Sequence, residues 1–167
     1  MNIHENILNV KNNGYTIIES VLSEKEIKKF KTILNYNLEK QNSNNVSAKD
    51  FHNNAKVVHN LQNKDLAFYD LICHNIVLNF AEKLLKEGSY LEREPYILCQ
   101  STARNPAPYS EQQQLHIDSN IPGLPFCFYM QAMWLLDEFN SESGGTRFVP
   151  GSHKIQSFAE NDFKYDN

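Results

Sequence analysis

Paired cysteines, excess positive charge and long apolar runs are all missing from this 167-residue chain. It has three cysteines, Cys73, Cys99 and Cys127, an odd number with no CxxC spacing. Such a set excludes a disulfide framework and reads as reduced, mostly buried thiols of a cytoplasmic protein. The net charge of −4 offers no basic field for nucleic acid or an anionic membrane. The basic residues at 25–31 are the solvated face of a helix. The longest nearly apolar run, residues 126–136, contains Gln131. It falls short of the roughly 20 residues that a membrane helix needs. The start, Met1-Asn2-Ile3-His4-Glu5-Asn6, has neither a basic region nor an apolar stretch, so no secretory leader is expected. The Asn45-Val46-Ser47 sequon is without meaning absent secretion, and the Asn-rich stretch around it is a composition bias.

What is present suits one soluble domain. At this length a chain buries about 70% of its unfolded surface. With 41% hydrophobic and 22% charged residues, the composition is that of an ordinary globular protein. Gly14 followed by Tyr15-Thr16-Ile17-Ile18 predicts a turn and a short strand. Ser23 and Glu26 form a capping box, so a helix starts at Glu24. Ile27, Phe30, Ile33, Leu34 and Leu38 continue it at helical spacing to about Lys40. Residues 41–54 are polar and aperiodic, a surface loop. Residues 65–73 and 75–86 follow helical patterns, with Gly88 in place to end the second. Strands are predicted at 96–102, 126–136 and 146–149, with a loop at 105–114 and a turn at 141–145. Helices first and strands afterwards imply an α+β domain, its helices buttressing a β-sandwich or barrel.

One tripeptide stands out for its chemistry. His116 and Asp118 are two residues apart, and on a strand such residues face the same way. An imidazole and a carboxylate converging on one ion suit Fe(II), Mn(II) or Zn(II), and form two-thirds of the facial triad of non-haem iron oxygenases. The same tripeptide also reads as a polar edge residue beside a solvated carboxylate, and alone it does not decide between the two.

The surroundings carry a resemblance. Gln114-Leu115-His116-Ile117-Asp118, then Ala132-Met133-Trp134-Leu135-Leu136-Asp137, precede Gly144-Gly145-Thr146-Arg147-Phe148-Val149-Pro150-Gly151-Ser152-His153. In that order, and with Asn13-Gly14-Tyr15-Thr16-Ile17-Ile18 leading into Leu22-Ser23-Glu24-Lys25-Glu26, the chain resembles the phytanoyl-CoA dioxygenase family over most of its length. The resemblance implies one domain over 1–167, with N-terminal helices packed on a double-stranded β-helix of the jelly-roll or cupin kind. It implies Fe(II) as the metal and 2-oxoglutarate as cosubstrate, with His116 and Asp118 as the first two iron ligands. Trp134 would line the cosubstrate pocket, although it reads equally as a core aromatic. Gln100 and Gln114 would point toward cosubstrate or substrate, or serve as solvated or structural residues. His153 belongs by resemblance to a structural turn, with metal ligation the competing role. Arg147 precedes that turn, where the family often has a basic residue, and carboxylate clamping is its competing role.

The family's distal histidine and clamp arginine follow that turn, and no histidine follows His153. The expectation is a domain incomplete at its C-terminus. The function expected from the resemblance is hydroxylation of a small organic substrate. The alternative is a catalytically incomplete remnant or small-molecule binding module. It would pair with itself or with a C-terminal partner that completes the sheet. A zinc hydrolase using the same two residues ranks behind both. Substrate choice is assigned to the loops at 41–54 and 105–114.

Overall fold

The computed structural model describes residues 2–43, 56–90, 96–106, 113–119 and 121–159. Those residues form an α+β arrangement whose elements are mostly helical. A helix that the sequence reading did not anticipate, α1 (Ile3–Asn13), opens the chain. The Asn2 side chain caps it by accepting from the Glu5 N–H, and Gly14, at φ 90°, closes it with its N–H on the Val10 carbonyl. Glu5 in the first turn and Lys11 in the last complement the helix dipole. Ile3, Ile7 and Val10 share its half-buried stripe. The predicted strand after Gly14 forms no ladder.

Helix α2 (Glu24–Ser43) starts where the capping box places it and runs slightly past the expected end. The box is fully formed. The Ser23 hydroxyl accepts from the Glu26 N–H, while the Ser23 N–H and hydroxyl both donate to the Glu26 carboxylate. Those two donors hold the Glu26 carboxyl below its ordinary pKa.

Two short strands follow, β1 (Lys56–His59) and β2 (Thr102–Asn105). They pair antiparallel with Val57 opposite Arg104 and Val58 opposite Ala103. Both valines are fully buried, so β1 is covered on both faces. The predicted strand at 96–102 is thus displaced toward its C-terminal end. The patterns at 65–73 and 75–86 divide into shorter turns than expected. Asp65 accepts from the Ala67 N–H to start a 3₁₀ turn at Leu66–Phe68, which runs into α3 (Tyr69–Ile72). His74 Nδ1 accepts from the Ile76 N–H and caps α4 (Asn75–Leu84), and a second 3₁₀ turn, Lys86–Gly88, follows. Gly88 makes room for an aromatic ring, since a Cβ there would lie 2.3 Å from Phe126 Cδ2.

The core lies between α2, β1 and the 61–72 turns. Phe30, Val58, Leu61, Phe68 and Leu71 form its centre, with Trp134 and Leu136 packed on from the C-terminal third. The rings of Phe30 and Phe68 stack with centroids 6.1 Å apart. Lys31 of α2 pairs with Asp137 beyond that strand-like stretch, and Lys29 pairs with Asp70 at 2.9 Å.

Residues 126–136 and 146–149 form no extended ladder among the described residues. They retain a strand's periodicity, because exposed and half-buried residues alternate over 126–129 and again over 133–137. A period of two can be read from one segment alone. A ladder needs a second strand at hydrogen-bonding distance, and periodicity does not supply it. The predicted turn at 141–145 is tightly made. Asn140 accepts from the Ser143 and Gly145 N–H groups with its carbonyl, and from the Glu142 and Ser143 N–H groups with its side chain. Among the described residues no helix is long and apolar enough to cross a membrane. Residues 44–54 and 107–112, in the two loops assigned to substrate choice, lie outside the described residues.

The C-terminal turn is anchored to α1. The Gly151 N–H donates to the Asn13 carbonyl at 2.8 Å, and His153 Nε2 lies 3.1 Å from the Lys11 carbonyl. Tyr15 and Phe148 stack at 4.8 Å. A Cβ on Gly14 would meet His153 Nδ1 at 2.7 Å, so this contact requires glycine twice, for its φ and for its bareness. Gly14→Ala is expected to destabilise the fold by about 1–3 kcal/mol through the backbone alone. Urea unfolding should show a smaller penalty when His153→Ala is already present, since the steric part is then gone.

Candidate functional site

The 113–118 segment brings His116 and Asp118 together. His116 Nε2 lies 3.2 Å from Asp118 Oδ1, with the two side chains about half exposed. On the other side of the ring, His116 Nδ1 lies 2.9 Å from the Gln114 carbonyl. A carbonyl oxygen and a carboxylate both only accept, so each ring nitrogen faces an acceptor and a neutral imidazole can donate to just one of them. With the proton on Nδ1, the Nε2 lone pair faces a carboxylate lone pair. That juxtaposition is satisfied by a positive charge shared between them, either a proton on Nε2 or a cation.

The spacing accommodates a metal ion. Ligand atoms about 2.0–2.2 Å from an ion and at right angles to each other lie about 3 Å apart. A backbone carbonyl on the far ring nitrogen, as Gln114 supplies here, is a usual outer-shell partner of histidines that ligate metals. Sequence reasoning looked to Gln114 for its side chain. The side chain is exposed, and the backbone carbonyl makes the contact. Among the described residues no three His, Cys, Asp or Glu side chains converge on one point.

Tyr129 lies within electrostatic reach of Asp118. Its burial, followed by the charges of Asp118 and Cys99, holds the phenol above its ordinary pKa and therefore neutral. Cys127 Sγ donates to the Tyr129 carbonyl at 3.5 Å, and burial pushes its thiol up. A thiol held protonated is a packing group and a poor nucleophile. The other two cysteines depart from the expectation of burial, since Cys73 and Cys99 are exposed.

The remaining candidate residues are dispersed. Trp134 packs on the helical core and meets His74 edge-on, with ring centroids 5.1 Å apart and planes 72° apart. Gln100 donates from Nε2 to the Thr102 hydroxyl at 2.8 Å, beside the start of β2. His153 is held against α1. Arg147 Nη2 donates to the Gln113 carbonyl at 3.4 Å, directly before the His116 segment. Backbone acceptors at 113 and 114 leave no trace in residue identity, so neither contact could be read from the sequence. Tyr129 was visible only as one aromatic among several in an alternating run.

The family model for phytanoyl-CoA dioxygenase matches residues 10–167. Comparison with curated proteins and with solved structures gave no match.

Proposed function

The chain belongs to the phytanoyl-CoA dioxygenase family, and from that premise we propose an Fe(II)- and 2-oxoglutarate-dependent dioxygenase that hydroxylates a small organic substrate. His116 Nε2 and Asp118 Oδ1 are the metal-holding atoms. The observation that carries this reading is their 3.2 Å separation, with the opposite ring nitrogen fixed on the Gln114 carbonyl. Fe(II), when bound, supplies the chemistry by which O2 and 2-oxoglutarate become succinate and CO2 as the second oxygen atom enters a C–H bond of the substrate.

The chain's own contribution is placement. Gln114 keeps the Nδ1 proton, so Nε2 offers its lone pair. Asp118 presents its carboxylate oxygen close to that nitrogen, and Tyr129 stays neutral within reach of the Asp118 charge. We place residues 126–136 among the strands of a double-stranded β-helix. Their support is the period-two exposure at 126–129 and 133–137. Trp134 is better supported as a core aromatic than as a wall of the cosubstrate pocket, given its contact with His74. No observation favours the remnant or binding-module reading.

The test is succinate formation from 2-oxoglutarate under air by the purified chain. Succinate that needs added Fe(II) and disappears in His116→Ala is the expected result. Succinate formation that is equal with and without Fe(II), or equal in the variant, would remove the assignment.

A further inference from the structure

We propose that residues 126–136 pair antiparallel with the same residues of a second copy, forming a two-fold dimer centred on Gln131. The inference rests on the reading of this run as a strand, and not on the metal-holding pair. Among the described residues, no backbone–backbone hydrogen bond involves any residue from 126 to 136. The peptide groups of the run therefore lack the ladder partners that extended backbone takes up where a neighbour exists. The run holds no charged residue. Large apolar side chains stand out from it, with Phe128 57% exposed, Met133 48% and Leu135 49%. An unpaired, uncharged strand of this kind is a template for another strand.

The pattern of exposure selects the partner. In the first half Phe126 and Phe128 are exposed, on the even-numbered face. In the second half Met133 and Leu135 are exposed, on the odd-numbered face. The outward face thus changes near Gln131. Antiparallel pairing about Gln131 sets Phe126 opposite Leu136, Phe128 opposite Trp134, Cys127 opposite Leu135 and Tyr129 opposite Met133. Met130 then faces Ala132, and every exposed apolar group of one copy lies beside a half-buried group of the other. Trp134 and Leu136 already sit on their own core, so the copy's phenylalanines extend that layer. Parallel pairing in register would instead set each exposed side chain beside its own duplicate. The ends fit the same axis. Pro125 has no N–H to give and stops the ladder, and the position facing it is Asp137, the first charge after the run. Glu138 falls opposite Leu124, so no like charges meet across the pair. A patch that meets itself through one axis closes as a dimer and does not grow into a filament.

Sedimentation of the purified full chain, combined with amide hydrogen exchange, is the test. Wild type is expected to sediment as a dimer that dissociates on dilution. Gln131 is the position that faces itself, and it is exposed, so a charge there leaves the fold intact. Gln131→Glu and Gln131→Lys should each raise the dissociation constant by at least about tenfold, since like charges then meet on the axis. Mixed in equal amounts, the two variants should dimerise again, because the facing charges are opposite. Amides of 126–136 should exchange slowly in the dimer and fast once dilution or a charge separates it. A monomeric wild type, assemblies larger than two, single variants that dimerise as well as wild type, or a mixture that stays monomeric would each overturn the proposal. Amides protected in a monomer would overturn it too, while keeping the strand and placing its neighbour in the same chain. Amides unprotected in every sample would remove the strand as well.

Discussion

Phe30→Ala is expected to cost about 3–5 kcal/mol. Phe30 lies on the inner face of α2 with only 1% of its surface exposed. Its ring stacks on Phe68 and closes the cluster with Val58, Leu61 and Leu71, so truncation removes the contacts of α2 to β1 and the 61–72 turns together. Domains are typically stable by about 5–15 kcal/mol, and the loss takes up much of that margin. Urea unfolding checks it, with Leu66→Ala as the comparison. Leu66 lies in the same apolar pattern as Phe68 but is 80% exposed, so its truncation should change stability by no more than about 0.5 kcal/mol. Equal losses at Phe30 and Leu66 would contradict the placement of the core.

The second large effect concerns metal binding. His116→Ala and Asp118→Ala are each expected to weaken Fe(II) or Co(II) binding by more than about 100-fold, beyond the range for outer-shell changes. His153→Ala is expected to leave binding near the wild-type value, although it removes a histidine from the same C-terminal third. Its Nε2 is held by the Lys11 carbonyl and its ring packs close against Gly14, away from His116 and Asp118. Isothermal titration of the three variants separates the alternatives. A loss at His153 as large as that at His116 would mean that the turn contributes a ligand.

The sequence and the structure agree where one short segment contains its own physics. Ser23 and Glu26 declare the start of α2 because both partners of the capping box are side chains three residues apart. His116 and Asp118 come together because alternate residues share a face. Agreement ends where the partner is remote or is backbone. Helix α1 was passed over since its stripe is thin and polar residues crowd it, yet Asn2 and Gly14 were both in place to cap it. Strand β1 is too short for a periodic signal, and its two buried valines show no alternation at all. The run at 126–136 announced its period of two but not its neighbour. Trp134 remained ambiguous until His74, on a different element, met its ring. The Gln113 and Gln114 carbonyls hold Arg147 and His116, and any residue at those positions would present the same oxygen.

An anaerobic titration of the purified chain with Fe(II) and then 2-oxoglutarate tests the central claim most directly. The visible metal-to-cosubstrate charge-transfer band is the readout. A saturable band that vanishes in His116→Ala is the predicted result, since Nε2 and Asp118 Oδ1 then hold an ion that cosubstrate chelates. A folded sample that shows no band, or a band that persists unchanged in His116→Ala, would contradict it.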